Sequence, residues 1–236
     1  MKSKISDIVE IYQYYIMHAF IYLLIYGVFL FLIQYGITGS LHYLGLLWNL
    51  FLALVPYFFA WVFRQQKGWI QWLGFIWWLG FFPNSLYLLT DYVHLGEVKE
   101  HFFLNLLLIT DFFLAWLVIG YASLELVHKE WNKLFGHISG WVMVWTSMFL
   151  AVLWVYIGRF LRFNSWDILS HPGQLFHEIH ILTLSNGSSW DISDAARQQV
   201  SKLYESGAMP LIEFTILYSI FFLILYIFIY EARKVH

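Results

Sequence analysis

Asp91 and His94 stand three residues apart, and Arg159 and Arg162 share that spacing. On a helix, residues three apart lie on one face. A carboxylate beside an imidazole can pass a proton, and the same pair could hold a divalent metal. Two guanidinium groups can grip a phosphate or a carboxylate through paired hydrogen bonds. The run Gly158 to Asp167 adds Asn164 and Asp167 to that pair. A further carboxyl, Asp111, and two amides, Asn49 and Asn84, lie within apolar runs. Asp91, His94 and Asp111 are therefore the candidate catalytic groups. Asn49, Asn84, Arg159, Arg162, Asn164 and Asp167 are the candidate ligand-binding groups.

Each of these has a plainer reading. Asp111 could be a structural anchor paired with Arg159. Asp91 and His94 could be ordinary surface residues at the start of a loop, since two ligands do not complete a metal site. The arginines could reach up to lipid headgroups while their stems pack on apolar surface.

The elements that must position these groups follow from composition. The chain has 236 residues, of which 61% are hydrophobic and 12% charged. A soluble domain carries about 25% charged residues, so half that supply cannot cover a water-facing surface. Lipid must be the solvent for most of the chain. A net charge of −2 offers no argument for nucleic acid as a partner, and the absence of cysteine removes disulfides, thiolate metal sites and Cys nucleophiles.

In hydrocarbon the backbone has to satisfy its own hydrogen bonds, which leaves helices or a closed barrel. The apolar runs are continuous and do not alternate, so an all-α, polytopic transmembrane bundle is expected. The spans are read at about Tyr14–Ile33, Leu41–Phe63, Trp69–Leu89, Phe102–Glu125, Ile138–Phe160 and Leu211–Tyr230. Pro56 lies inside the second and Pro83 inside the third, where it is either a simple kink or a break whose freed backbone faces a cavity. The whole chain, 1–236, reads as a single membrane domain. Its long connection, 161–210, is an outer loop with an interfacial, amphipathic helical segment at Trp166–Leu182 and a polar helix at Asp191–Ser206.

Six spans put both termini on one side, together with Arg64, Lys67, Lys129 and Lys133. The opposite side holds Lys99, Arg159, Arg162, Arg197 and Lys202, mostly in the long loop. Positive charge collects in the cytoplasm, so both termini are expected there and the 161–210 loop outside. At 1.5 Å per residue, Asp111 then lies roughly 13 Å into the fourth span. Most other polar groups fall in the outer half, and Glu125 marks the inner water boundary.

The string Trp78 to Leu95, WLGFFPNSLYLLTDYVHL, resembles the signature of an uncharacterised family of bacterial integral membrane proteins, a domain of unknown function. Arg159–Asp167 and Trp48–Tyr57 resemble other parts of that family. The resemblance implies a multi-pass protein of the bacterial cytoplasmic membrane and supplies no activity.

Three functions remain in view. One is an outward-facing polar pocket that binds or processes a lipid-linked or anionic, phosphate-bearing small molecule. The second is a secondary transporter component using Asp111 as a proton or ion site. The third is a non-catalytic assembly subunit. The lipid bilayer is the one partner required, while oligomeric state and whether the protein is an enzyme stay open.

Overall fold

A computed structural model describes residues 2–41, 43–87, 92, 101–160, 170, 172–185 and 209–232. Every regular element among them is helical. The chain divides into two compact units, Met1–Val144 and Trp145–His236, and each is taken by itself.

The first unit opens with α1, Lys2–Thr38. It is longer than the apolar span expected from the sequence, because helical sequence continues on both sides of the run. Gly39, at φ +65°, ends it by donating its N–H to the carbonyl of Tyr35 at 2.8 Å. A left-handed residue at this position is the usual helix stop, and glycine carries no Cβ penalty there. A short turn leads to α2, Leu44–Gln65, which runs through Pro56 without a break. Gly68, also at φ +65°, turns the chain into α3.

Helix α3 covers Trp69–Phe81 and is followed by a 3-10 turn at Phe82–Ser85. The regular span expected to Leu89 is therefore broken. Proline is the physical cause: Pro83 has no N–H to offer the carbonyl one turn earlier, and its ring crowds that turn. At 13 residues, α3 is about 20 Å long, short of the roughly 30 Å of hydrocarbon.

The next helix, α4, spans Phe102–Phe135, and α3 runs along it in the opposite direction. The Phe75 ring lies 4.9 Å from that of Trp131, the Trp78 indole N–H donates to Ser123 Oγ at 3.2 Å, and Ser85 abuts Gly120. Further on, the Tyr92 hydroxyl donates to Thr110 Oγ1 at 2.9 Å. Phe75 and Tyr92 thus meet α4 at Trp131 and Thr110, points about 32 Å apart along that helix. Since each short turn reverses the chain, α4 is antiparallel to α1.

Helix α4 is the centre of this unit. It packs against α1 and α2, and α2 also packs against α3. Helix association in lipid depends on close packing, which small residues permit. Four glycines mark the tightest approaches. A Cβ on Gly74 would fall 2.9 Å from the Phe63 backbone nitrogen, and one on Gly120 would fall 2.6 Å from Ser85 Cβ. Gly27 of α1 and Gly140, after the turn that follows α4, make similar approaches to Asp111 and Asn132.

Helix α5, His137–Phe160, begins directly after Gly136, and its first residues complete the unit. The Trp131 indole donates to Ser139 Oγ at 3.0 Å across this turn.

The second unit holds the rest of α5, then α6 at Pro172–Ser185 and α7 at Leu211–Ala232. Tyr156 is buried, donates its hydroxyl to the Met209 carbonyl at 2.9 Å, and meets the Phe214 ring edge-on with centroids 5.3 Å apart. The end of α5 is thereby tied to the start of α7. Within the interfacial segment expected at Trp166–Leu182, Pro172 begins a helix, a position where its missing N–H costs nothing. The helix expected at Asp191–Ser206 lies outside the described residues.

Among the described residues, five helices are long and apolar enough to cross a membrane: Tyr15–Thr38 of α1, and α2, α4, α5 and α7. The chain is an all-α membrane protein. Gly120→Ala should lower its stability by about 1–3 kcal/mol through overpacking against Ser85. Gly80→Ala, with open space around it, should be neutral or stabilising by up to about 1 kcal/mol. Unfolding in detergent compares the two, and equal effects would place Gly120 away from the break.

Candidate functional site: the buried carboxyl of α4

Asp111 lies in the third turn of α4, about 13 Å from its start as the sequence reading has it, and it is only 4% exposed. Its surroundings are apolar: the flanking Leu108, Ile109, Phe112 and Ala115 belong to the buried core that α4 shares with α1 and α2. Its Oδ2 has no hydrogen-bond partner among the described residues of this unit. What lies against that oxygen is Gly27, whose missing Cβ would stand 2.6 Å away. The carboxyl therefore reaches the backbone of α1 at a residue with no side chain to block it. A charged side chain at such a depth costs about 2.5–3.5 kcal/mol or more.

Asp111 and the break in the third span lie on opposite sides of α4. At 100° per residue, Asp111 and Gly120 point half a turn apart; one meets α1 and the other meets Ser85. The expected convergence of Asp111 with Asn84 is not how the helices pack. Asn84 is half-buried in the 3-10 turn beside Pro83, and Asn49 is half-buried one turn into α2. Arg159 is half-buried in the last turn of α5, in the second unit. Asp91, His94, Arg162, Asn164 and Asp167 lie outside the described residues.

Two more buried groups lie further along α4, and the sequence reading passed over one of them, His128. Glu125, assigned to the water boundary, is 5% exposed and pairs with Lys129 one turn on. His128 is fully buried, with its ring 4.9 Å from the Trp141 ring of α5. Arg64 of α2 and Glu125 both lie close enough to Tyr57 to act on its hydroxyl electrostatically. The helix continues to Phe135, so these residues stand inside a packed helix and not at its end. The signal was present: Leu124, Val127, Trp131 and Leu134 continue the helical period past Glu125.

A family model described as "Protein of unknown function (DUF1361)" matches residues 48–227. The chain belongs to the DUF1361 family. All three strings that carried the resemblance fall within the matched region. The DUF1361 match takes in α2 to most of α7, including Asp111, while Gly27 lies on α1 ahead of it. No curated protein and no solved structure matches the chain.

The contact between Asp111 and Gly27 can be measured by a double-mutant cycle. Gly27→Ala alone should cost about 1–3 kcal/mol, because the new methyl group meets the carboxyl and the Phe112 ring. In an Asp111→Ala background the cost should fall by about 0.5 kcal/mol or more. Additive effects on unfolding would show that the two residues do not touch.

Proposed function

We propose that this DUF1361 protein is a membrane transport component in which Asp111 is the working proton or ion site. The observation that supports this reading is the buried Asp111 Oδ2, held against α1 with no hydrogen-bond donor among the described residues of its unit. Buried polar groups in proteins nearly always have partners, and ionisable groups inside membrane spans are usually functional. A group left without one is where a proton, an ion or a ligand donor supplies what the fold withholds.

The protein is placed in a bacterial cytoplasmic membrane, with both termini in the cytoplasm. Two observations support the orientation. Phe75 and Tyr92 meet α4 at points about a membrane thickness apart, so the third segment is counted as a crossing beside the five long helices of the described residues, an even number. The Lys and Arg distribution then sets the direction. In this orientation the Thr38 end of α1 and the Phe102 end of α4 face outward.

Purified protein in vesicles carrying an internal pH dye tests the role. With an imposed membrane potential, the wild-type protein should carry a proton or cation current, and Asp111→Asn should slow it by at least about tenfold, or 1.4 kcal/mol of barrier. Flux that is unchanged in Asp111→Asn, at equal protein incorporation, would end the transport reading.

A second reading concerns a lipid-linked or phosphate-bearing ligand at the outer surface. Arg159 favours it, because a guanidinium in the last turn of α5 is followed closely by Arg162, Asn164 and Asp167. Here Arg159→Ala should impair cellular function far more than Lys133→Ala, whose ammonium is exposed and paired with Glu130 at 2.7 Å. Equal tolerance of both changes in a complementation assay would count against any outer anion site.

A further inference from the structure

Helix α1 has two exposed sides, and they differ in chemistry. One is aliphatic and carries Ile21, Ile25 and Leu32. The other carries Tyr15, Ala19, Tyr22, Tyr26 and Phe29, all exposed, and ends at Gly36, which has open space around it. With Ile33, these positions alternate in steps of four and three, the repeat of a seam between two supercoiled helices. The buried side of α1 repeats at the same seven-residue interval, at Phe20, Gly27 and Gln34. The second stripe therefore keeps its place on the helix instead of drifting round it.

Lipid alone does not call for this stripe. Tyrosine suits the membrane interfaces, where its hydroxyl reaches water, and Tyr15 begins the apolar span. Tyr22 and Tyr26 stand about 10 Å and 16 Å further along, close to the middle of a hydrocarbon core roughly 30 Å thick. They are 67% and 42% exposed. A hydroxyl turned into hydrocarbon is costly unless another group bonds it. Both rings are also set in place by neighbours on their own helix. His18 meets Tyr22 edge-on with centroids 6.3 Å apart, and Tyr26 stacks with Phe29 at 6.5 Å.

A second copy of this chain has what the stripe needs. Copies inserted in one orientation run their α1 helices parallel, and a two-fold axis along the stripe sets each position against itself. No Asp, Glu, Lys or Arg lies between Tyr15 and Gly36 to repel its double. A tyrosine hydroxyl both donates and accepts, so it can bond to its own equivalent. Ala19 and Gly36 let the two backbones come close. Helix α1 also runs on past the apolar span to Lys2. There the repeat continues in the sequence at Tyr12, Ile8 and Ile5, with Asp7 and Glu10 between them. Lipid tails cannot follow that part of the repeat, whereas a second α1 can.

We infer that the tyrosine stripe of α1 is the contact between two parallel copies of this chain, with Tyr22 and Tyr26 paired across a two-fold seam. This goes beyond the transport reading and does not depend on it.

The chain has no cysteine, so single-cysteine variants of the full-length protein can be oxidised directly in membranes. Ala19→Cys, Tyr22→Cys and Tyr26→Cys should give a band of twice the monomer mass on non-reducing gels. Ile21→Cys, Ile25→Cys and Leu32→Cys should stay monomeric. Equal yields at all six positions would mean chance collision through lipid and overturn the seam. Monomers at all six would overturn it too, whether lipid or another part of the same chain covers the stripe. Where a cysteine variant does not accumulate, energy transfer in vesicles between copies labelled at Lys133→Cys takes its place. Transfer should survive dilution into excess lipid, and Tyr22→Phe with Tyr26→Phe should raise the dissociation constant about threefold or more by removing interhelical hydrogen bonds. Transfer lost on dilution overturns the contact, and an unchanged dissociation constant in the phenylalanine variant overturns the tyrosine pairing.

Discussion

A carboxyl group surrounded by hydrocarbon has no solvent to answer its charge, and the first unit is organised around one that sits on its central helix. Three neighbours lie along α4, and each meets it in a different manner. Helix α1 approaches Asp111 through Gly27, with no side chain between the carboxyl and the backbone. Helix α2 packs along α4 with apolar surface. The third segment lays indole, serine and a 3-10 turn against the far side. The bilayer permits these arrangements only because each leaves the backbone satisfied within a helix or covered by protein.

Much of this was legible from residue types. Continuous apolar runs predicted the helices, and the cost of a charge in lipid singled out Asp111 before any contact was known. Pro83 marked the weak point of the third span, where a simple kink was the first reading and a break the second. There α-helical geometry ends at Phe81 and passes into a 3-10 turn at Phe82–Ser85.

What the sequence reading lost was facing. Depth along a helix follows from counting residues, but azimuth depends on which neighbour lies where. The Asp111 carboxyl looks to α1, while the turn at Phe82–Ser85 docks half a turn away on α4. Depth also misled at Glu125, where the end of hydropathy was taken for the end of the helix. Helix α4 runs on through Lys129 and Trp131 to Phe135, since Glu, Lys and Leu are good helix formers regardless of solvent. For that one reason Glu125 was put at the water boundary and His128 was passed over.

The short α3 has a bearing on how the chain is made. An isolated 13-residue helix followed by a proline turn would leave backbone carbonyls and the Trp78 indole facing lipid tails, with nothing to accept or donate. The indole is answered by Ser123 of a helix that the ribosome has yet to synthesise. Helix α2 can cover one side of the third segment as it emerges, but its packing is complete only when α4 follows.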